Sequence, residues 1–90
     1  MGGGSGKRKS ARATVWVWPG EGKITVNGKC FTKHFLQPLA KWKIMRPLII
    51  SQYTCLLDIR MHVWGGGLSG QADATRLALT RALCNFEPEL

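Results

Sequence analysis

Gly65-Gly66-Gly67-Leu68-Ser69-Gly70-Gln71 is the segment of this 90-residue chain whose chemistry is easiest to read. It follows an alternating, strand-like pattern and opens a helical one. Such a junction leaves several backbone N–H groups open at a helix N-terminus, where the helix dipole adds positive potential, so the chemistry is anion binding. A tight strand-to-helix connection with no ligand is the alternative. A second stretch has the same sign. Lys7, Arg8, Lys9 and Arg12 bring four cations and no acid between small residues, a pattern suited to a phosphate backbone. At roughly 0.9 of log–log salt slope per phosphate, this stretch alone would supply about 3–4. Lys41, Lys43 and Arg46 surround Trp42, which reads either as a base-stacking ring or as a core residue.

Nucleotide-binding readings of the glycine run fail on chemistry. It satisfies G-x-G-x-x-G, but a dinucleotide fold needs a further strand and an acidic residue about 20 positions on; only Glu87 and Glu89, beside Pro88, follow. As a P-loop it lacks the Lys-[Ser/Thr] pair, which Gln71-Ala72 replaces. His34 and His62 are isolated in the sequence, Asp58 and Asp73 form no carboxylate pair, and Ser69 reads as a helix N-cap rather than a nucleophile. Cys30, Cys55 and Cys84 show neither a disulfide framework nor metal-ligand spacing. Cys55 and Cys84 are expected to be buried thiols. The expected chain has no catalytic site, cofactor or metal and is not an enzyme. No apolar run is long enough for a membrane span, and no signal region is evident at the N-terminus.

Thirteen Lys and Arg against five Asp and Glu give a formal net charge of +8, which points to a polyanionic partner, most simply nucleic acid. The charge is uneven. Ten of the cations and only Glu21 among the acids fall in residues 1–46. Residues 1–12 hold almost no large apolar side chain and are expected to be a flexible basic arm. Residues 13–90 are then a single α+β domain. Residues 13–18 read as a strand on which Trp16 and Trp18 share a face, at least one of them packed in protein. Residues 23–27 read as a second strand, joined to the first as a hairpin through Pro19-Gly20-Glu21-Gly22. A helical turn falls within 30–36 and a helix over 39–46, limited by Pro47, with strand-like turns over 47–52. Tyr53, Cys55, Leu57, Ile59, Met61 and Val63 share one face of a long strand, with Asp58, Arg60 and His62 on the other. Residues 70–86 form a helix whose apolar arc is Ala72, Thr75, Ala78, Leu79, Ala82, Leu83 and Phe86, with Asp73 in the first turn and Pro88 ending it. The fold class is α+β: a mostly antiparallel sheet with helices on one face.

Taken in order, these pieces form a pattern: the basic Gly6–Ser10 stretch before a strand, Gly20-x-Gly22-Lys23-Ile24-Thr25-Val26-Asn27-Gly28, Pro47-Leu48, Asp58 in a strand, the Gly65–Gln71 loop, and Arg76 to Arg81-Ala82-Leu83 on a helix. The chain closely resembles the ninth small-subunit ribosomal protein family, in its bacterial and organellar form, over residues 6–90. The resemblance implies the α+β fold of the second domain of the fifth small-subunit protein. It implies a structural role in the head of the small subunit, on the 3′ major domain of the rRNA beside neighbouring head proteins. Lys7, Arg8, Lys9, Arg12, Gly66, Gly67, Ser69, Gln71, Arg76 and Arg81 match family positions or motifs for rRNA contact; Lys23 and Lys41 are added from charge. Family members continue into a basic tail that reaches the peptidyl tRNA, whereas this chain stops at Leu90. The expectation is therefore rRNA binding without direct tRNA contact, in a mitochondrial ribosome, with bacterial cytoplasm or plastid as alternatives. The rivals are a free RNA-binding module and, on fold analogy, a small-molecule kinase. Gly67→Val is expected to disturb the loop, through positive φ or through close approach of RNA.

Overall fold

A computed structural model of the chain describes residues 2–35, 38–51 and 57–86. The elements in order are β1 (Gly2–Arg8), β2 (Ala11–Pro19), β3 (Ile24–Val26), β4 (Lys29–Cys30), α1 (Phe31–His34), α2 (Pro38–Ser51), β5 (Leu57–Trp64) and α3 (Leu68–Phe86). The strands form one sheet in the order β1-β2-β5-β3-β4. All neighbours are antiparallel except β3 and β5, which run parallel. Helix α3 lies across β1 and β2, with α2 beside it. This is the α+β architecture, a mostly antiparallel sheet with helices on one face, that the sequence implies.

Period two puts one residue set inside. Ala11, Ala13, Val15 and Val17 of β2 and Leu57, Ile59, Met61 and Val63 of β5 are buried together under α3. From the helix, Ala72, Ala78, Leu79, Ala82 and Leu83 meet them, as the helical arc predicts, and Phe86 is partly buried at its end. Thr75 is fully buried and donates its hydroxyl to the Gln71 carbonyl at 2.7 Å, so its polarity is satisfied. Phe31, Phe35 and Ile44 close the far side of the core.

The reading of residues 1–12 as a flexible arm is corrected. Gly2–Arg8 form an edge strand paired with β2 from Gly2↔Val17 to Arg8↔Ala11. No large apolar side chain is needed there because the strand packs by backbone. Gly2, Gly4 and Gly6 alternate along it and face α3. A Cβ on Gly2 would stand 2.6 Å from the Ala82 carbonyl oxygen, one on Gly4 2.5 Å from that of Ala78, and one on Gly6 would meet that of Ala74. Only glycine lets a strand approach a helix this closely, and alanines on the facing helix turns make up the other half. Ala74, outside the predicted arc, is fully buried for this reason. Two α3 side chains then cover carbonyls of the edge strand: Asn85 Nδ2 donates to Gly3 O at 2.6 Å, and an Arg81 guanidinium nitrogen to Ser5 O at 2.7 Å.

Other expectations shift as well. The runs at 13–18 and 23–27 are strands but not a hairpin, because β5 lies between them. The β3 strand instead makes its hairpin with β4, closed by Asn27-Gly28 with φ of 51° and 81°, the two positive angles that a type I′ turn requires. Asn27 also extends the sheet: its side-chain amide exchanges two 2.9 Å hydrogen bonds with the backbone of Val63. Helix α2 runs through Pro47 to Ser51, so residues 47–51 are helical rather than strand-like. Proline removes one helical hydrogen bond without ending the helix, and just before it Ile44 is buried and Met45 packs against the core. Helix α3 begins at Leu68 rather than Gly70, which moves Asp73 out of its first turn. Cys84 is exposed, not buried. Cys55, Tyr53 and the Pro88 stop lie outside the described residues.

The close approach is testable. Gly4→Ala is expected to cost about 1–3 kcal/mol through overpacking, seen as a fall of several degrees in the thermal midpoint by circular dichroism. Gly3→Ala, one residue away and facing away from α3 with only ordinary contact to Trp16 at 3.6 Å, is expected to leave the midpoint almost unchanged.

Candidate nucleic-acid interface

The β1–β2 turn and the glycine run meet at one end of the sheet. Pairing of Arg8 with Ala11 leaves Lys9 and Ser10 as the turn, and Lys9 adopts a left-handed φ of 55°. Across from it, Gly65 and Gly66 carry φ of 76° and 60°. A Cβ on Gly65 would strike the Ser10 carbonyl oxygen, and one on Gly66 would stand 3.0 Å from Ala11 N. The glycines therefore serve two ends at once: they turn the chain from β5 into α3, and they let the loop lie against the basic turn. Between them opens a cleft of about 280 Å³ lined by Arg8, Lys9, Ser10, Gly66, Gly67 and Ser69, with Gly70 and Asp73 at its floor and side.

Gln71 N–H is bonded to Gly67 O at 2.9 Å, the first helical bond of α3. The N–H groups before it have no partner within the helix and lie at the positive end of its dipole. Ser69 is inside the helix and exposed, so Gly67 rather than Ser69 takes the cap position. Asp73 is the one acidic group on the cleft. Its carboxylate sits 4.0 Å from Arg8 Nε and 3.5 Å from Lys43 Nζ. These pairs are half-exposed and weak, but they offset the negative charge locally and hold two cations near the cleft.

Of the twelve residues predicted to meet RNA, Arg8, Lys9, Gly66, Gly67 and Ser69 share this cleft. Lys7, Arg12 and Arg81 share a second hollow at the β1 edge of the sheet with Trp64. Lys23 lies elsewhere, beside Trp18 and Asp58. Arg76 is exposed on α3, and Lys41 is half-buried on α2. Gln71 is turned inward on the protein: its amide donates to Gly65 O at 3.1 Å, and its Oε1 lies 3.1 Å from His34 Nε2. It braces the loop. Gly67 lacks the expected positive φ, and a Cβ there would meet nothing within 4 Å. Trp42 is 55% exposed, so it is a surface ring rather than a core one. Ser10 on the cleft and Lys43 beside Asp73 were not among the twelve, because nothing in their local sequence shows which strand or helix will stand opposite.

Asp58 positions Lys23. Its Oδ1 accepts the backbone N–H groups of Glu21, Gly22 and Lys23 at 2.8, 3.1 and 3.0 Å. A Cβ on Gly20 would collide with the same carboxylate, so the Gly20–Lys23 turn wraps it closely. The Lys23 N–H, then that of Glu21, hold the Asp58 carboxyl below its ordinary value of 3.8; partial burial opposes them, while the Gly22 N–H and the Lys23 charge add to the lowering.

A family model described as ribosomal protein S9/S16 matches residues 6–90. The chain belongs to that family. It is thus a ribosomal protein, a constituent of the ribosome, and its place of work is translation. The family match spans β2 to β5, both hollows and the glycine run, and begins at Gly6, within the edge strand.

The Asp58 carboxylate gives the S9/S16 fold a defined acid response. A group with a lowered folded pKa contributes stability above its unfolded value and loses it as the pH falls through the folded one. Asp58→Asn is expected to lower the thermal midpoint at neutral pH. That difference should shrink below about pH 3.8, measured by thermal unfolding of both proteins across an acid series.

Proposed function

We propose that this S9/S16 protein is a structural constituent of the small-subunit head, holding rRNA of the 3′ major domain beside other head proteins. On this reading it grips the phosphate backbone chiefly at the cleft between the Lys9-Ser10 turn and the N-terminus of α3. One observation carries the reading. The fold brings two segments distant in sequence, both suited to anions, to opposite walls of one cleft. Cations on one wall and open N–H groups on the other are complementary to a phosphate. The backbone of Lys9 supports the same reading. A non-glycine residue at φ of 55° carries a local cost that glycine would avoid, and the side chain kept at that cost lines the cleft.

The role is scaffolding rather than catalysis. Phosphate contacts fix position and orientation without reading sequence, and folded rRNA offers phosphates in a fixed array. Lys7, Arg12 and Arg81 at the sheet edge and Arg76 and Lys41 on the helices extend the cationic surface beyond the cleft. Asp73 lowers the net positive charge of the cleft and tunes it.

Three substitutions separate binding from folding. Lys9→Gly is expected to leave the thermal midpoint no lower than the parent's, since it relieves the left-handed backbone, yet to weaken binding to small-subunit rRNA. Replacing Lys7, Arg8 and Lys9 together by Gln is expected to reduce the log–log salt slope of that binding by about 2–3; an unchanged slope in a filter-binding titration would exclude the turn from the interface. Gly67→Val, whose Cβ would have no protein atom within 4 Å, is expected to fold normally and to impair incorporation into the small subunit on sucrose gradients. Normal incorporation would mean that RNA does not approach that wall, and a light, free pool of the parent protein would favour a module acting outside the ribosome.

A further inference from the structure

The sheet face opposite α3 carries its own pattern. Alternation that buries Val15, Val17, Ile59 and Met61 turns Arg12, Thr14, Trp16 and Trp18 of β2 and Asp58, Arg60, His62 and Trp64 of β5 to the other side. The register sets them in rows: Trp18 against Asp58, Trp16 against Arg60, Thr14 against His62, and Arg12 against Trp64. Lys7 extends the last row on β1 and Thr25 the second on β3. Tryptophan and arginine therefore exchange strands between the second row and the last, so each ring has a guanidinium beside it. The His62 and Trp64 rings are 4.8 Å apart and tilted by 34°. Trp64 is 42% exposed, while Trp16 and Trp18 are half-buried. Three shallow hollows of about 290, 320 and 420 Å³ follow one another across this face, lined by Trp64, Trp18 and Trp16 respectively, each with at least one cation.

We propose that this open face is a second RNA surface, distinct from the cleft, which takes an unpaired stretch of RNA with bases stacked on Trp64 and Trp16. The chemistry favours that occupant. Lys7, Arg12, Arg60 and Lys23 lie on or beside the face, and its one carboxylate, Asp58, has an oxygen engaged by three backbone N–H groups. Rings interleaved with guanidinium groups on one sheet face supply stacking and backbone neutralisation together, the combination that single-stranded nucleic acid requires. Trp16 and Trp64 stand about 13 Å apart along the strands at roughly 3.4 Å per residue, which leaves Thr14 and His62 between them and room for the intervening nucleotide. The inference rests on reading this chain as an RNA binder but uses none of the cleft residues.

The test uses the full chain in a Trp42→Phe background, so that the three tryptophans left of the four all report on this face. Short oligo(A) is expected to quench their emission, and inorganic polyphosphate, which has charge but no bases, is expected not to. Trp64→Leu and Arg60→Gln are each expected to weaken oligo(A) binding by roughly tenfold, with Trp64→Phe restoring most of it. Lys33→Gln, which removes an exposed cation assigned to neither surface, is expected to leave the quenching intact. Absence of quenching, equal quenching by polyphosphate, or unchanged affinity in correctly folded Trp64→Leu would overturn the proposal. Failure of the cleft would appear instead as Lys9 variants that still bind rRNA with the parent's salt slope. In assembled subunits, a photo-crosslinker at Thr14 is expected to label RNA; labelling of protein alone would overturn the proposal and assign the face to a protein neighbour.

Discussion

The contact on which the rest of the molecule depends is the backbone approach of β1 to α3. A strand and a helix normally meet through side chains. Here Gly2, Gly4 and Gly6 remove them from one partner, and Ala74, Ala78 and Ala82 shrink them on the other. The gain is not a large apolar side chain but dense packing of many small contacts, together with the Asn85 and Arg81 bonds that occupy carbonyls of the edge strand. Once β1 is fixed in this way, so is its turn into β2. That turn carries Lys9 to the N-terminus of α3. The same helix thus anchors the strand at one end and offers its open N–H groups to the cleft at the other.

Two constraints keep the cleft open. Gly65 and Gly66 leave no Cβ to push the Lys9-Ser10 turn away, and Gln71 ties the loop back to Gly65 while its other end meets His34. The loop is therefore braced from within the protein, and its outer wall at Gly67 stays unobstructed. Electrostatics at the cleft is a balance rather than a simple accumulation. Asp73 lies 4.0 Å from Arg8 and 3.5 Å from Lys43, which lowers the local positive field. On the proposed function, placed charge matters more than maximal charge, since unplaced lysines contribute affinity without register.

The candidate chemistry and the family were legible in residue types and their order. The glycine run, the basic stretch and the excess positive charge pointed to an anionic polymer, and their order carried the family resemblance. Period two over 53–63 and the apolar arc of 72–86 located β5, α3 and most of the core, with residues 53–56 outside the described residues. What misled was composition. Residues 2–8 look like a linker because they are small and polar, and only the facing alanines of α3, some 70 positions away, reveal them as a strand. Pro47 was read as a helix end on local propensity, yet α2 continues through it to Ser51. Leu68 and Ser69 were left out of the helix because glycines flank them.

By itself the sequence determined what each segment could do: alternate, coil, turn or bind an anion, because those capacities follow from side-chain size, branching and charge along a few neighbouring residues. Tertiary structure decided which of these segments would stand together. It inserted β5 between β2 and β3, parted the expected hairpin, and used Asp58 to hold the turn that resulted. It also divided twelve predicted contact residues among a cleft, a sheet edge, the Gly20–Lys23 turn and scattered helix positions. The physical reason is that pairing order and helix approach are set by long-range packing, where a missing Cβ on one element has meaning only against the backbone of another.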